Sequence, residues 1–143
     1  MSDPYESLRI DIEDGVATLV LNRVDRHNAI NKVMNRELPD AWARLEADVA
    51  VRAIIVTGAG DRAFCTGADL ADPPTPTDPA FASSLSSIAW TGRQNGGTKP
   101  VIAAVNGMAV GGGLHFIADA DIVIAAEHAR LIDTHVAVGL VAA

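Results

Sequence analysis

The chain has 143 residues, of which 49% are hydrophobic and 20% charged, a composition typical of one folded domain and not of a disordered chain. Its formal net charge of −7 leaves no excess of basic residues to neutralise phosphates, which argues against nucleic-acid or anionic-membrane binding. The lone Cys65 cannot form an internal disulfide, which is typical of a protein in a reducing compartment. Cys65 itself is predicted to be a small, buried apolar residue. Neither a secretory signal nor an apolar stretch of roughly 20 residues is found, so a cytoplasmic location is expected.

The first elements predicted along the chain form a β-hairpin. Residues 8–12 alternate apolar and polar side chains, as a half-buried strand does, and residues 16–21 are almost entirely apolar. Asp14-Gly15 lies between the two segments and is a strong signal for a tight hairpin turn.

A helix is predicted to follow the hairpin. Apolar residues recur at helical spacing from Asn28 onward, with Asn28 or Asn31 as the candidate N-cap. Pro39 is expected to kink this helix or to split it in two. The apolar positions are Ile30, Val33, Met34, Ala41, Trp42 and Leu45.

Strands alternate with helical patterns along the rest of the chain, which predicts an α/β fold with crossover connections. Residues 72–79 hold four prolines and are predicted to form a loop before a helix. Residues 136–143 are apolar and uncharged, so another part of the protein or an oligomer partner is expected to cover them. The apolar face of the helix after the loop is predicted to include Phe81, Leu85, Ile88 and Ala89. Further strands are expected at residues 52–57, 101–105 and 121–125.

Two glycine-containing loops, residues 63–70 and residues 106–113, each follow a predicted buried strand. Glycine lets the backbone approach a ligand closely, and a helix that starts there leaves its first N–H groups unpaired. Two such N–H groups converging on one point would bind the oxyanion that develops in acyl chemistry. Taken alone, the glycine triplet is equally consistent with tight packing or with a phosphate cradle.

In this order and spacing, three segments resemble the enoyl-CoA hydratase/isomerase (crotonase) superfamily: LNRVDRHNAI, AFCTGADL and KPVIAAVNGMAVGGGLHFIADADIVIAAEHARL. The resemblance extends from Leu8 to about Leu140. It implies an α/β fold of the ClpP/crotonase type, a spiral of ββα units that is incomplete at the C-terminus. Residues 1–143 are expected to form the core domain, without the family's C-terminal helical region for trimer packing.

The resemblance also implies the site residues. The backbone amides of Ala68 and Gly112 are expected to form an oxyanion hole for a CoA thioester, with coenzyme A as part of the substrate and no permanently bound cofactor or metal. A homotrimer or hexamer is expected. Asp69 is interpreted as capping the turn that follows it, not as catalytic. The CoA groove is expected to be lined by Arg26, Asn28, Ala29, Ala68, Asp69, Leu70 and Ala71.

The chain departs from the family at the two positions where hydratases carry catalytic glutamates, which are His115 and His135 here. Two imidazoles, one neutral and one charged, could replace two carboxylates in acid–base catalysis, because an unperturbed histidine titrates near pH 6.5. Asp119 is a candidate to orient His115, and Asp133 is a candidate to face the same pocket as His135. Structural or surface roles for both histidines are the alternative. The spacing matches no standard metal-ligand pattern.

Three functions therefore remain open. The main hypothesis is a lyase or isomerase of the enoyl-CoA hydratase type, which stabilises a thioester enolate. A hydrolase of C–C or thioester bonds with a histidine base is the second. The third is a non-catalytic acyl-CoA-binding homologue, which the loss of both glutamates would fit.

Overall fold

The computed structural model of the protein describes residues 4–74, 88–135 and 137. These residues form eight strands and two α-helices, joined by turns and short 3₁₀ helices. The strands are β1 (Leu8–Glu13), β2 (Val16–Leu21), β3 (Ala53–Gly58), β4 (Ala63–Cys65), β5 (Val101–Val105), β6 (Met108–Val110), β7 (Ile122–Ala125) and β8 (Arg130–Ile132), and the helices are α1 (Lys32–Ala47) and α2 (Leu114–Ala118).

The larger sheet has five strands in the order β1-β2-β3-β5-β7. β1 and β2 pair antiparallel, and every other neighbouring pair is parallel. Asp14 and Gly15 have φ angles of 49° and 82° at the tip of the β1–β2 hairpin, as a tight turn between right-twisted strands requires. The predicted hairpin and the predicted strands after it are confirmed.

Helix α1 packs its apolar face onto this sheet and supplies much of the core. Asn31 is the N-cap, because its side-chain oxygen accepts a hydrogen bond from the Met34 N–H. Pro39 lies inside the helix, but the helix continues unbroken to Ala47, so a split at this position is wrong. The buried positions are Met34, Leu38, Ala41, Trp42 and Leu45, and burial of such a face offsets the one hydrogen bond that proline removes.

A second sheet, which the sequence pattern did not predict, contains β4, β6 and β8 in that order. Each of these strands has three residues, and both neighbouring pairs are parallel. Because parallel strands point the same way, the chain leaves all three at the same edge of the sheet. The segments that follow these strands are therefore brought together.

Other expectations fall wholly or partly outside the described residues. Of the helix predicted after the proline-rich loop, only Ile88 and Ala89 are described, and neither is helical. Of residues 136–143, Ala137 alone is described. No helix within residues 4–74 and 88–135 is long and apolar enough to cross a bilayer.

Strand β7 carries exposed apolar side chains, with Ile124 62% exposed.

Candidate active site

Three loops meet at the edge of the smaller sheet. They are residues 66–69 after β4, residues 111–113 after β6 and residues 133–135 after β8. A Cβ atom placed on Gly67 would lie 2.9 Å from the backbone nitrogen of Gly112, and one placed on Gly111 would lie 2.9 Å from Oγ1 of Thr134. The backbones of the first two loops therefore lie close together, the third loop approaches them through the Thr134 side chain, and the glycines permit this approach.

The backbone N–H groups of Ala68 and Gly112 have no acceptor among the described residues. Ile30 forms a parallel bridge with Ala68, in which the Ile30 N–H donates to the Gly67 carbonyl and the Asp69 N–H donates to the Ile30 carbonyl. The N–H of Ala68 itself therefore points away from Ile30. Gly112 lies in the first turn of a 3₁₀ helix, where N–H groups lack a partner within the helix.

A buried polar network holds the loop of residues 66–69 in place. The guanidinium of Arg23 donates to Oδ2 of Asp69 at 3.0 Å and to the Ala29 carbonyl. Burial disfavours the charged form of Asp69, but hydrogen bonds from the Ala71 N–H and from Arg23 outweigh it and hold the pKa of Asp69 below its usual range. Oδ1 of Asp69 accepts from the Ala71 N–H at 3.0 Å, so its predicted capping role is observed.

The residues expected to line a CoA groove divide into exposed and buried sets. Arg26, Ala68, Leu70 and Ala71 are exposed, with Leu70 91% exposed. Ala29 and Asp69 are nearly buried, each 8% exposed.

Asn28 has no exposed surface, so it cannot touch CoA in this structure, and the expectation that it lines the groove is corrected. Its φ angle of 55° also rules it out as the N-cap of α1. The Asn28 side chain donates to the carbonyls of Ala59 and Ala63, both at 2.9 Å, and accepts from the Arg23 N–H at 3.0 Å. Asn28 therefore joins the backbone at Arg23 to the backbone at Ala59 and Ala63.

The structure brings His115 and His135 together. Their ring centroids are 6.1 Å apart, and the ring of His115 is also 6.1 Å from that of Trp90. Trp90 in turn covers Gly112, because a Cβ atom on Gly112 would lie 2.5 Å from a carbon of the indole ring. The imidazole pair and the two glycine loops thus belong to one site.

His115 lies in the first turn of α2 and is half-buried. Burial, together with the nearby His135, lowers the pKa of His115, while the charge of Asp119 opposes this shift. Nδ1 of His115 lies 3.3 Å from the side-chain nitrogen of Gln94. No hydrogen bond joins the side chains of Asp119 and His115 among the described residues; the Asp119 carboxylate accepts from the Thr91 hydroxyl, so the predicted orienting contact is not observed.

His135 is paired with Asp133. Its Nδ1 lies 2.6 Å from Oδ1 of Asp133, and its backbone N–H donates to the same oxygen at 3.0 Å. These backbone and side-chain hydrogen bonds lower the pKa of Asp133. An imidazole whose Nδ1–H faces a carboxylate presents Nε2 as a proton acceptor, which is the arrangement of a general base.

Trp90 and Gln94 were not predicted as site residues. Trp90 is only 4% exposed and belongs to the core, but its ring also forms one wall of the site. Gln94 lies in a glycine- and asparagine-rich turn with no pattern that indicates a role. No cluster of three His, Cys, Asp or Glu side chains that could hold a metal ion occurs in the part of the chain that the structure describes.

Sequence comparison relates the chain to known proteins. Residues 11–143 match the enoyl-CoA hydratase/isomerase family model. The chain is 35% identical over 133 residues to an (E)-benzylidenesuccinyl-CoA hydratase of Thauera aromatica, covering 93% of this chain and 52% of the relative. It is 39% identical over 135 residues to a 1,2-epoxyphenylacetyl-CoA isomerase of Escherichia coli, covering 91% and 51%. The chain thus spans about half the length of the curated relatives it matches.

Solved structures give the same result. The crystal structure of an enoyl-CoA hydratase/isomerase from Mycobacterium paratuberculosis superimposes with a TM-score of 0.80 at 37% identity, covering 98% of this chain and 53% of that one. An enoyl-CoA hydratase from Bacillus anthracis also gives a TM-score of 0.80, at 28% identity, with 95% and 54% covered. By sequence and by fold, the chain belongs to the enoyl-CoA hydratase/isomerase family.

Proposed function

We propose that the protein acts on enoyl-CoA thioesters as a lyase or isomerase, with the thioester oxygen bound by the backbone N–H groups of Ala68 and Gly112. One observation carries this proposal: two amides with no acceptor among the described residues lie on backbone segments so close that a Cβ atom on Gly67 would be 2.9 Å from the Gly112 nitrogen. Donors that are already oriented stabilise the negative charge that an enolate oxygen develops, and removing one such donor typically costs about 10²–10³ in rate.

The imidazole pair is proposed to act on the water that adds in hydration, with His135 as the group that carries the proton. His135, with Nδ1–H directed at Asp133, takes a proton from water as the water oxygen bonds to the β-carbon of the enoyl group. The electron pair of the double bond moves onto the thioester oxygen as an enolate. The enolate then collapses, and the proton on His135 passes to the α-carbon, so one water molecule is added in total.

Two exposed segments, the one around Arg26 and the one that includes residues 68–71, are proposed to bind the CoA portion of the substrate. Arg26 provides a cation for the CoA phosphates in a chain whose net charge is −7. The backbone around Ala68, Leu70 and Ala71 offers a surface that a ligand can reach. The same proposal includes a homotrimer or hexamer in which residues 1–143 form the core domain of each subunit. The exposed apolar side chains of β7 support it, because such side chains favour a surface that another part of the protein or another subunit covers.

Hydrolysis of a thioester or C–C bond is the second candidate function. The specific observation in its favour is the pairing of His135 with Asp133 at 2.6 Å, because a carboxylate-oriented imidazole also activates water for attack on a carbonyl. Ala68 and Gly112 would then stabilise a tetrahedral oxyanion in place of an enolate.

The test compares two reactions of crotonyl-CoA, hydration and release of free CoA, in the wild type and in His115→Ala, His135→Ala and His128→Ala. His128 is exposed and its ring contacts the Asp61 carbonyl, with Nε2 at 3.1 Å, and no residue of the site, so its variant is the matched control. We expect hydration that both site variants reduce and the control retains. Free CoA as the main product would favour the hydrolase. Full activity in both site variants would contradict acid–base roles for the pair.

A further inference from the structure

Gln94 contacts His115, but the proposed function gives it no task. It lies in a short 3₁₀ helix, Arg93–Asn95, and its side-chain amide lies between the backbone at Trp90 and the imidazole of His115. An amide has one face that accepts and one that donates. The groups on either side of Gln94 therefore determine which way it is oriented.

The oxygen of Gln94 faces the backbone. It accepts hydrogen bonds from the N–H of Trp90 at 2.9 Å and from the N–H of Thr91 at 3.3 Å. A backbone N–H can only donate, so the orientation with nitrogen on this side would place donor against donor. The NH₂ group consequently faces Nδ1 of His115, at 3.3 Å.

Since an NH₂ group can only donate, Nδ1 of His115 must carry its lone pair, and the proton of the neutral ring lies on Nε2. A charged ring would direct an N–H at the NH₂ of Gln94, with donor facing donor. The half-burial of His115, which lowers its pKa, acts in the same direction by favouring the neutral ring.

We propose that Gln94 is a positioning residue that holds His115 as the neutral Nε2–H tautomer, so that the two imidazoles of the site have opposite polarity. His135 presents an acceptor nitrogen because its Nδ1–H faces Asp133, whereas His115 presents a donor. This inference rests on the proposed function: His135 takes the water proton and returns it to the α-carbon, while His115 donates a hydrogen bond to the water oxygen and stays neutral.

The variant Gln94→Glu tests the inference. A carboxylate keeps an oxygen for the N–H groups of Trp90 and Thr91, but it replaces the donor that faces His115 with an acceptor. The proton of the His115 ring is expected to move to Nδ1, with a larger population of the charged ring. Nitrogen–proton NMR correlation spectra of histidine-labelled protein, recorded without substrate, distinguish the tautomers, and His27 and His128 serve as internal controls.

Activity supplies the second measurement. For Gln94→Glu, kcat for crotonyl-CoA hydration is expected to fall about tenfold or more, and KM is expected to stay close to the wild-type value because the amides of Ala68 and Gly112 are unchanged. Gln94→Ala removes both contacts, so His115 is expected to populate both tautomers in that variant.

Either of two NMR results would overturn the assignment to Gln94: a wild-type His115 with its proton on Nδ1, or a tautomer that both Gln94 variants leave unchanged. The proposed function fails by a different result. A wild-type protein that shows the Nε2–H tautomer of His115 but turns over no enoyl-CoA supports the assignment and contradicts the proposed reaction.

Discussion

The main-chain part of the candidate site and its imidazole part are held in place by different kinds of contact. Gly67, Ala68 and Gly112 lie on backbone that touches across two loops, above a buried network of Arg23 and Asn28. The imidazoles of His115 and His135 are partly exposed, and each has one polar side-chain partner among the described residues.

Because of this difference, the fold requires the backbone contacts between the loops, whereas the side chains at the imidazole positions can be substituted. A backbone amide stays in place whatever side chain the residue carries, provided that the loops can touch. An imidazole held by one neighbour can be altered by a single substitution without disturbing the core. Four predictions test whether the two parts respond in these different ways, in order of decreasing effect.

The largest effect is expected for Gly67→Ala. The added Cβ would lie 2.9 Å from the Gly112 nitrogen, and the φ angle of Gly67 is 81°. Separating the two amides should lower kcat/KM for crotonyl-CoA by about 10²–10³, as loss of an oxyanion donor does. Gly96→Ala is the control, because its φ is 74° but nothing lies within 4 Å of the added Cβ. Equal activity losses in the two variants would show that backbone strain alone is responsible.

Asn28→Ala is expected to destabilise the fold by about 2–3 kcal/mol, because the part-buried Arg23 N–H and Ala59 carbonyl lose their hydrogen-bond partner and the Ala63 carbonyl retains the Asn106 amide, at 3.3 Å. Urea denaturation measures the change in unfolding free energy. His27→Ala is the matched control, since His27 has a similar φ of 50° but an exposed side chain. The interpretation of Asn28 as the side chain that joins these backbone segments is wrong if the two variants are equally stable.

Asp133→Asn is expected to reduce kcat by about tenfold while leaving the unfolding free energy nearly unchanged. The neutral amide no longer favours the Nδ1–H form of His135, which weakens Nε2 as a base. Steady-state kinetics with crotonyl-CoA give the comparison, and Asp11→Asn, at an exposed ion pair with Arg9, is the control. A lower unfolding free energy with an unchanged kcat would show that Asp133 belongs with the main-chain part of the site.

The smallest effect concerns pH. Because the pKa of folded His115 lies below its ordinary value of 6.5, the unfolded chain binds more protons than the folded one between those two pKa values. Stability therefore rises with pH across that window and is lost as pH falls through it. Urea midpoints at pH 7.5 and pH 5 should differ more for the wild type than for His115→Gln. His128→Gln should behave like the wild type, and an equal pH response in all three proteins would contradict the prediction.

Local patterns in the sequence were sufficient to predict the strands of the larger sheet and α1. The Asp14-Gly15 turn, the helical spacing that begins near Ile30 and the apolar runs of β3 and β5 each act over a few residues. Such signals survive without tertiary context because turn geometry, capping and burial periodicity are local properties. The family resemblance predicted Ala68, Gly112, His115 and His135 as site residues, and the structure brings the two histidine rings to 6.1 Å of each other.

Only the tertiary structure decided how the site is assembled. β4, β6 and β8 have three residues each, too few for a periodic signal, and they are stable as strands because they pair with segments far away in the chain. Their common direction brings three loops to one edge. The same long-range packing places Gln94 against His115 and directs Asp119 to Thr91, which no local spacing could indicate.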